Sequence, residues 1–482
     1  MYNLTNINKE NDKIISASKE PSWMLDLRKE ASEKYDGLPF EVSSLYAKYS
    51  NANHLLPDYI YFKDDNTKSN YLDDNQFLSE IVEHKDLENE NNIICINSEI
   101  QKLSVSEKMR KDGFVISSIS EGLSDYSDII KEHLMHNKLD FNEDKYLALS
   151  SSYYQNGYFI YIPKNMIIED PIRIVNYLSP DGYSSISRNI IISDTSSKSM
   201  IVQELYSSDN KDSKESKILK KNQQACFELL DTHIHPNSQL EMVTLQALDY
   251  NSVNFSNRKA FVEKDGKMSW YLSLFGSQLS RYKIDSIMKG SGASAEDLEI
   301  LFGIGNQSFD VTSNLVHIGP NTKGRVLVKS VMKDTSQSLF KGMIKINKQA
   351  QHTESFLAGH AILLDKGAKS DAIPGLEIEA NEVKATHSAS VAQIDQNQIF
   401  YLMCRGLSEE LAKREIVNGF LEPMSRRMGP TIRAWINYLI ENKWLGKKLI
   451  LKTDEAMEQI LEVEKTRYRE TEDIFEKHYK YR

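Results

Sequence analysis

The sequence predicts a mainly β protein with helical regions at both ends, and two observations support this fold class. Between residues 157 and 400, short β-favouring runs such as Tyr158 to Ile162 and Met343 to Ile346 are separated by Gly, Asn and Asp. From residue 230 to residue 400, the apolar residues show almost no helical spacing. This pattern argues against β-α-β units and favours an all-β body.

The change of pattern divides the chain into three regions. Residues 1–145 are predicted to be mixed and mainly helical, residues 146–400 to form the β body, and residues 401–482 to form a second helical region. Ser408 is the expected N-cap of the first helix in that last region, because its hydroxyl can accept a hydrogen bond from a free helix amide.

Two stretches near the N-terminus have the spacing of amphipathic helices. Met24, Leu27, Ala31 and Tyr35 fall on one helix face, and the stretch from residue 125 to residue 136 shows the same periodicity. We expect each stretch to bury one face.

Within the β body, apolar and charged residues alternate in places. Leu376, Ile378 and Ala380 share one face of a strand, and Glu377 and Glu379 share the other. Short strands with small inward residues suit a coiled solenoid, in which each turn buries the inner face of its neighbour. No strict period is visible, so these patterns do not separate a β-helix from a β-sandwich.

Composition excludes several classes of protein. The formal charge of −10 disfavours a nucleic-acid partner. The cysteines Cys95, Cys226 and Cys404 are scattered, without the spacing of a thiolate metal cage. The longest apolar run, Ile399 to Cys404, is far too short to span a membrane, and no signal peptide is visible. We therefore expect a cytoplasmic protein that does not interact with membranes.

Motifs for nucleotide hydrolysis, serine hydrolysis, zinc proteolysis and dinucleotide binding are absent from the sequence, so we expect no catalysis by this chain alone. His233 and His235 could hold a metal ion, but no third ligand lies near them in the sequence. We therefore favour a structural interpretation, in which the two histidines simply lie in a strand or turn. Asp310 and His317 are expected to make structural hydrogen bonds. The Gly303-Ile304-Gly305 stretch is expected to form a turn.

His387 is the one histidine for which parity predicts an inward orientation. Counting back from Val391 through Ala389 places it on the same strand face as those small apolar residues. A hydrogen-bonded core histidine is the favoured reading of this spacing. The imidazole could equally be a metal ligand or a proton carrier.

Several ordered motifs resemble those of the SufB/SufD family of iron–sulfur cluster assembly proteins. The resemblance touches most of the chain and is densest between about residue 340 and residue 420. The matching stretches are Glu20 to Met24, Gly157 to Lys164, Phe340 to Ile344, Ala350 to Thr353, Leu376 to Ile378, Val383 to Val391, Phe400 to Leu402, Arg405-Gly406 and Gly419-Phe420.

The resemblance implies a fold and a subgroup. Family members have a right-handed parallel β-helix between an N-terminal region and C-terminal helices. SufB-like members carry a cysteine six residues before the proline that corresponds to Pro374, where this chain has Ala368, and a glutamate where it has Ser388. The chain is thus more similar to SufD-like members, although Ala385 replaces a cysteine that is common in them.

The resemblance also implies partners and a cargo. We expect a SufB-like partner subunit and a SufC-like ABC ATPase, with a homodimer possible in isolation. His387 is expected to bind the nascent iron–sulfur cluster at the interface with SufB, as the one metal-ligating residue of this chain. The cluster would be transient and shared with the partner, with none bound by the lone chain. The apolar helix face with Ala412, Ile416 and Phe420 is the expected SufC contact.

Two alternative functions are weighed against this one. A SufB-like scaffold that forms a homodimer with SufC would need the cysteine that Ala368 replaces. A carbohydrate-active β-helix enzyme would commonly be secreted, whereas this sequence shows no signal peptide.

Overall fold

The predicted β body is present as a parallel β-solenoid in the computed structural model. The structure describes residues 2–10, 14–15, 20–63, 91–179, 181–207, 222–447, 449–451 and 456. Over these residues the chain forms two units, the first ending at Ile394 and the second starting at Asp395. The predicted division of the chain at residues 145 and 400 stays a prediction.

In the described residues, five short strands precede the solenoid coils. Two of them pair with each other in a small antiparallel sheet, and the other three join the two sheets of the solenoid. The N-terminal region thus continues into the solenoid and is not a separate layer. These strands are β1 Tyr2–Asn3, β2 Tyr61–Phe62, β3 Asn92–Ile96, β4 Glu99–Ser104 and β5 Val115–Ser118.

Sixteen further strands in the described residues alternate between the two sheets, and every neighbouring pair among them is parallel. One even-numbered and one odd-numbered strand make up each of eight coils. The strands are β6 Tyr158–Ile162, β7 Ile172–Leu178, β8 Ser185–Ser193, β9 Lys198–Ser207, β10 Gln224–Ile234, β11 Gln239–Ala247, β12 Ser252–Val262, β13 Lys267–Leu274, β14 Leu279–Met288, β15 Ser294–Gly303, β16 Ser308–His317, β17 Lys323–Met332, β18 Gln337–Ile346, β19 Glu354–Leu363, β20 Lys369–Ile378 and β21 Lys384–Gln393.

Alternate side chains of these strands fill the space between the two sheets. Phe340, Ile344 and Ile346 of β18 and Val326 and Val328 of β17 belong to one continuous buried cluster. Because each coil covers the inner face of the next, these residues lose almost all contact with water, which stabilises the stack.

One corner of the solenoid repeats a single backbone feature. At intervals of roughly 30 residues, one residue in each of the first seven coils adopts a left-handed conformation, with φ between 53° and 73°. The amide of each such residue donates a hydrogen bond to a carbonyl of the following coil. The stacked residues, which we call the left-handed column, are Asn165, Ser196, Asn237, Asp265, Gly292, Asn321 and His352.

Five α-helices with defined bounds lie in the N-terminal part of the first unit among the described residues, together with short 3-10 helices at Leu4–Glu10 and Pro57–Tyr59. The predicted helix face of Met24, Leu27, Ala31 and Tyr35 is confirmed, since all four residues are buried in the first helix. The second predicted helix, over residues 125–136, is confirmed as Ser127–His136 with Ile130 and Leu134 buried, and it starts after Tyr126, where a preceding helix ends. The helices are α1 Ser22–Tyr35, α2 Glu107–Lys111, α3 Ile119–Asp125, α4 Ser127–His136 and α5 Lys145–Ser152.

The second unit contains three helices among its described residues. Ser408 is confirmed as an N-cap, because its hydroxyl accepts a hydrogen bond from the amide of Leu411 at 3.3 Å. No described helix is both long enough and apolar enough to cross a membrane. The helices are α6 Gln396–Met403, α7 Glu409–Ser425 and α8 Pro430–Trp444.

Candidate functional site at the last coil

The last coil consists of β20 and β21, which end their respective sheets. Over the described residues, β20 pairs only with β18, and β21 pairs only with β19. The outer edges of both strands therefore present unpaired backbone donors and acceptors, which can template pairing with another chain. Pro374 in β20 removes one of those donors, which edge strands tolerate.

The inner side chains of the last coil are exposed. Leu376 and Ile378 continue the inner row of Ile344 and Ile346, with which they pair in register. Ile344 and Ile346 are fully buried, whereas Leu376 and Ile378 are 37% and 42% exposed. Val391, on the inner face of β21, is similarly exposed. The end of the solenoid thus presents an apolar surface that no further coil covers within the described part of the chain.

His387 lies in the middle of this surface. It pairs in register with Leu357, which is fully buried in the core, so the predicted strand parity is confirmed. The favoured interpretation of His387 as a hydrogen-bonded core residue is wrong, because its side chain is exposed. Neither ring nitrogen has a hydrogen-bond partner among the described residues. The exposure results from its place on the last strand, which sequence periodicity does not reveal.

Polar groups surround the apolar surface. Lys345 Nζ lies 2.7 Å from Glu377 Oε1, and the last strand begins with Lys384, which pairs with a glutamate of β19. His360 Nδ1 lies 2.7 Å from Ser390 Oγ, and partial burial lowers the pKa of His360. A polar rim around an apolar centre is the usual composition of a protein–protein interface.

The cysteines offer no thiolate to the last coil. Cys95 and Cys226 are buried, and burial raises the pKa of each thiol to about 12. Cys404 is exposed but belongs to the second unit. Ala368, at the position of the cysteine in SufB-like chains, is buried in the core. An imidazole is therefore the metal-ligating group that the inner face of this coil presents.

The predicted ATPase contact lies on helix α7. Ala412 is fully buried, while Ile416 and Phe420 are half-buried. Leu411, on the neighbouring side of the helix, is exposed. The most exposed large apolar residues of the second unit, Phe400 and Tyr401, lie on α6 instead. Phe400 and Tyr401 belong to the sequence motifs that match the family, but the sequence did not predict them as part of the ATPase contact.

The remaining sequence candidates have structural contacts. His317 is buried, with its ring nitrogens bonded to Thr322 and Ser355, and Asp310 lies 2.6 Å from the ammonium of Lys341. The predicted hydrogen bonds of His317 are confirmed, whereas Asp310 has a structural ion pair in place of the predicted hydrogen bond. Over the described residues, no three His, Cys, Asp or Glu side chains converge in a metal-binding arrangement.

Comparisons with known proteins agree with the motifs. Residues 177–420 match the family model described as "SUF system FeS cluster assembly, SufBD core domain", and residues 2–174 match "SufBD protein N-terminal region". The iron–sulfur cluster assembly protein SufD of Bacillus subtilis is 26% identical over 409 residues, which cover 84% of this chain and 90% of that protein. An iron–sulfur cluster assembly SufBD family protein of Staphylococcus epidermidis is 24% identical over 460 residues, covering 90% and 92% of the two chains.

Proposed function

We propose that this chain, which belongs to the SufBD family of iron–sulfur cluster assembly proteins, is a SufD-like subunit of a cytoplasmic assembly complex. It would pair through the last coil with a SufB-like subunit and dock a SufC-like ABC ATPase on its C-terminal helices. The chain itself would be non-catalytic. The single observation that carries this proposal is the uncovered last coil with His387 at its centre.

The last coil has the properties that pairing with a second solenoid requires. Its strand edges are unpaired, its inner row is apolar and its rim is charged. A partner that adds strands to these edges would bury Leu376, Ile378 and Val391 and satisfy the free backbone groups in one step. A SufB-like chain is the expected partner because the best-matching subgroup is SufD.

His387 would contribute one ligand to a cluster whose other ligands come from the partner. Iron–sulfur clusters are held mainly by thiolates, and histidine can replace some of them. The buried thiols of Cys95 and Cys226 are poor ligands because their raised pKa keeps them protonated. The cluster would therefore be a cargo assembled between the subunits, and the isolated chain would hold little iron.

The second unit supports docking of an ATPase. Phe400, Tyr401 and Leu411 expose apolar surface on α6 and α7, next in sequence to the predicted contact residues Ile416 and Phe420. Exposed aromatic residues are common centres of protein interfaces. Because this chain lacks a phosphate-binding loop, the nucleotide would be hydrolysed in the partner.

The deciding experiment compares His387→Ala with wild type in the reconstituted three-subunit complex. We expect the variant to assemble normally by size exclusion and to lose most of the iron and sulfide of the complex. His387→Cys should restore part of both, because a thiolate is a good iron ligand. His136→Ala is the matched control, since His136 is also an exposed histidine of the first unit and lies on helix α4, away from the last coil in sequence.

Two outcomes would contradict the proposal in different ways. An intact His387→Ala complex with wild-type iron and sulfide would remove His387 from cluster assembly. A wild-type chain that binds neither a SufB-like subunit nor the ATPase would reject the complex itself. Loss of ATPase binding in Leu411→Asp, with unchanged circular dichroism, would support docking on the C-terminal helices.

A further inference from the structure

Three histidines from distant parts of the sequence meet where helix α4 packs on the solenoid. His233 lies in β10, His235 follows that strand, and His133 lies on α4. The ring centre of His133 is 5.0 Å from the ring centres of both His233 and His235. His133 Nε2 lies 2.7 Å from His235 Nε2, which is hydrogen-bond distance.

The contacts of His133 define where its proton lies. Nδ1 of His133 is 2.7 Å from the carbonyl oxygen of Ile129. A carbonyl oxygen only accepts, so Nδ1 carries a hydrogen, and in the neutral ring Nε2 is then an acceptor. The hydrogen between the two rings therefore belongs to His235. A second proton on His133 would set two N–H groups against each other across this 2.7 Å contact.

The contacts of His233 also favour a neutral ring. Lys289 donates to the side-chain oxygen of Asn137 at 2.9 Å, so the amide nitrogen of Asn137 faces His233 Nδ1 at 3.1 Å. Nδ1 thus accepts, and a proton added there would oppose the Asn137 amide. His233 Nε2 is buried and has no partner among the described residues. The ring is stacked on Phe261 with centres 5.3 Å apart.

Charged groups from several elements face this cluster. Asp194, which follows β8, lies 3.8 Å from His235 Nδ1 and accepts a hydrogen bond from Tyr161 of β6. Its charge and that of Glu132 on α4 favour protonation of His133, but burial and His235 outweigh them and lower the pKa of His133. Burial lowers the pKa of His233 much further, with added contributions from the surrounding cations, which are Lys289 of the solenoid and Arg188 of β8.

We propose that His133, His233 and His235 form a proton-sensitive clamp that holds helix α4 on the solenoid near neutral pH and releases it in acid. When α4 separates from the solenoid, the contact between His133 and His235 is lost and α4 no longer covers His233. His133 and His233 can then each bind a proton, which the closed clamp prevents. Acidification below about pH 6.5, the ordinary range of histidine, thus favours the open form.

Hydrogen exchange of the full chain between pH 7.5 and pH 5.5 tests the clamp. After correction for intrinsic exchange, the opening constant of amides 127–137 should rise about tenfold in total between pH 7.5 and pH 5.5 for each proton taken up, most steeply below about pH 6.5. In the wild type, we expect the pH dependence of the opening constant to correspond to the uptake of one to two protons. His133→Gln, which keeps a side-chain amide but cannot titrate there, should lower the slope by one proton. Amides of β14 serve as the control for global unfolding.

His136→Gln is the matched control variant, because His136 is an exposed histidine on the same helix. It should leave the slope unchanged. A wild-type slope of zero, or an equal slope in wild type and His133→Gln, would overturn the clamp. These measurements use the isolated chain, so their outcome is independent of the proposed complex.

Discussion

The two ends of the solenoid are built differently. At the first end, β4 and β5 pair antiparallel with their neighbours, and Ile100, Leu103 and Met109 from β4 and α2 pack against the core. At the last end, β20 and β21 are parallel to their neighbours like the strands before them, and their inner apolar side chains are exposed.

The difference shows how one fold provides both a closed and an open end. A reversal of chain direction at the first end brings a strand and a helix back over the core, as a capping repeat does in other solenoids. The last coil has no such reversal within the first unit. The first end therefore has a structural role, and the last end has the properties of an interface.

The two ends also differ from the interior in their ion pairs, and this difference predicts the largest change in the free energy of unfolding. Inside the solenoid, Arg258 Nη2 lies 2.9 Å from Glu228 Oε2, and both side chains are almost fully buried. Arg258→Met should lower the free energy of unfolding by about 3–5 kcal/mol, because it leaves Glu228 charged and unpaired in the interior. Chemical denaturation measures this.

The exposed pair Lys384–Glu354 at the last coil is the matched control. Lys384→Met should produce no measurable change in denaturation, since the exposed carboxylate of Glu354 stays in water when its partner is removed. Equal effects at the two sites would contradict the contrast between interior and end.

A pH titration distinguishes interior carboxyls from those at the open end. Burial raises the pKa of Glu299 to about 7, and burial together with Glu299 raises the pKa of Asp297 well above its ordinary value. The native state keeps these groups protonated while the unfolded chain ionises them. The free energy of unfolding should therefore fall as pH rises from about 4.5 through about 7, by on the order of 3 kcal/mol for Glu299.

Glu299→Gln should flatten this part of the pH profile, because the amide does not ionise and its oxygen can still accept from Ser313, as Glu299 does. Glu377→Gln at the last coil is the control and should leave the profile as it is in wild type. A wild-type profile that is flat over this range would show that Glu299 is ionised in the native state.

Matched charge substitutions at the two ends should separate stability from association. Leu103→Asp at the first end should lower the free energy of unfolding by about 1–3 kcal/mol, since it places a carboxylate against the core. Leu376→Asp at the last end should change the stability of the isolated chain by less than about 1 kcal/mol. It should nevertheless prevent pairing with a SufB-like subunit in size exclusion. Normal pairing of Leu376→Asp would place the interface elsewhere.

The local periodicity of the sequence predicted the structural features that depend on residues close together in the chain. The face of α1 and the parity of His387 follow from spacings of three, four or two residues, and the structure confirms both. The exposure of His387 depends on which strand is last in the stack. The contact between His133 and His235 depends on packing across 102 positions of sequence. Such long-range relations leave no periodic signal in a single sequence.

Family motifs supplied some of that missing long-range information. They distinguished a β-helix from a sandwich, which alternation such as that around Leu376 could not do. They did not reveal the exposure of Phe400, because a matching motif does not indicate which side of a helix packs against its neighbours.

The left-handed column constrains how a chain of this kind can change in length over evolution. Each of its residues, from Asn165 to His352, donates its amide to the next coil, so one inserted residue at this corner would interrupt the ladder. The longest interval in the column, between Ser196 and Asn237, keeps the hydrogen bond from the Ser196 amide to the next coil. Ancestral solenoids would therefore have grown by duplication of whole coils, while loops of arbitrary length could be added on the opposite side.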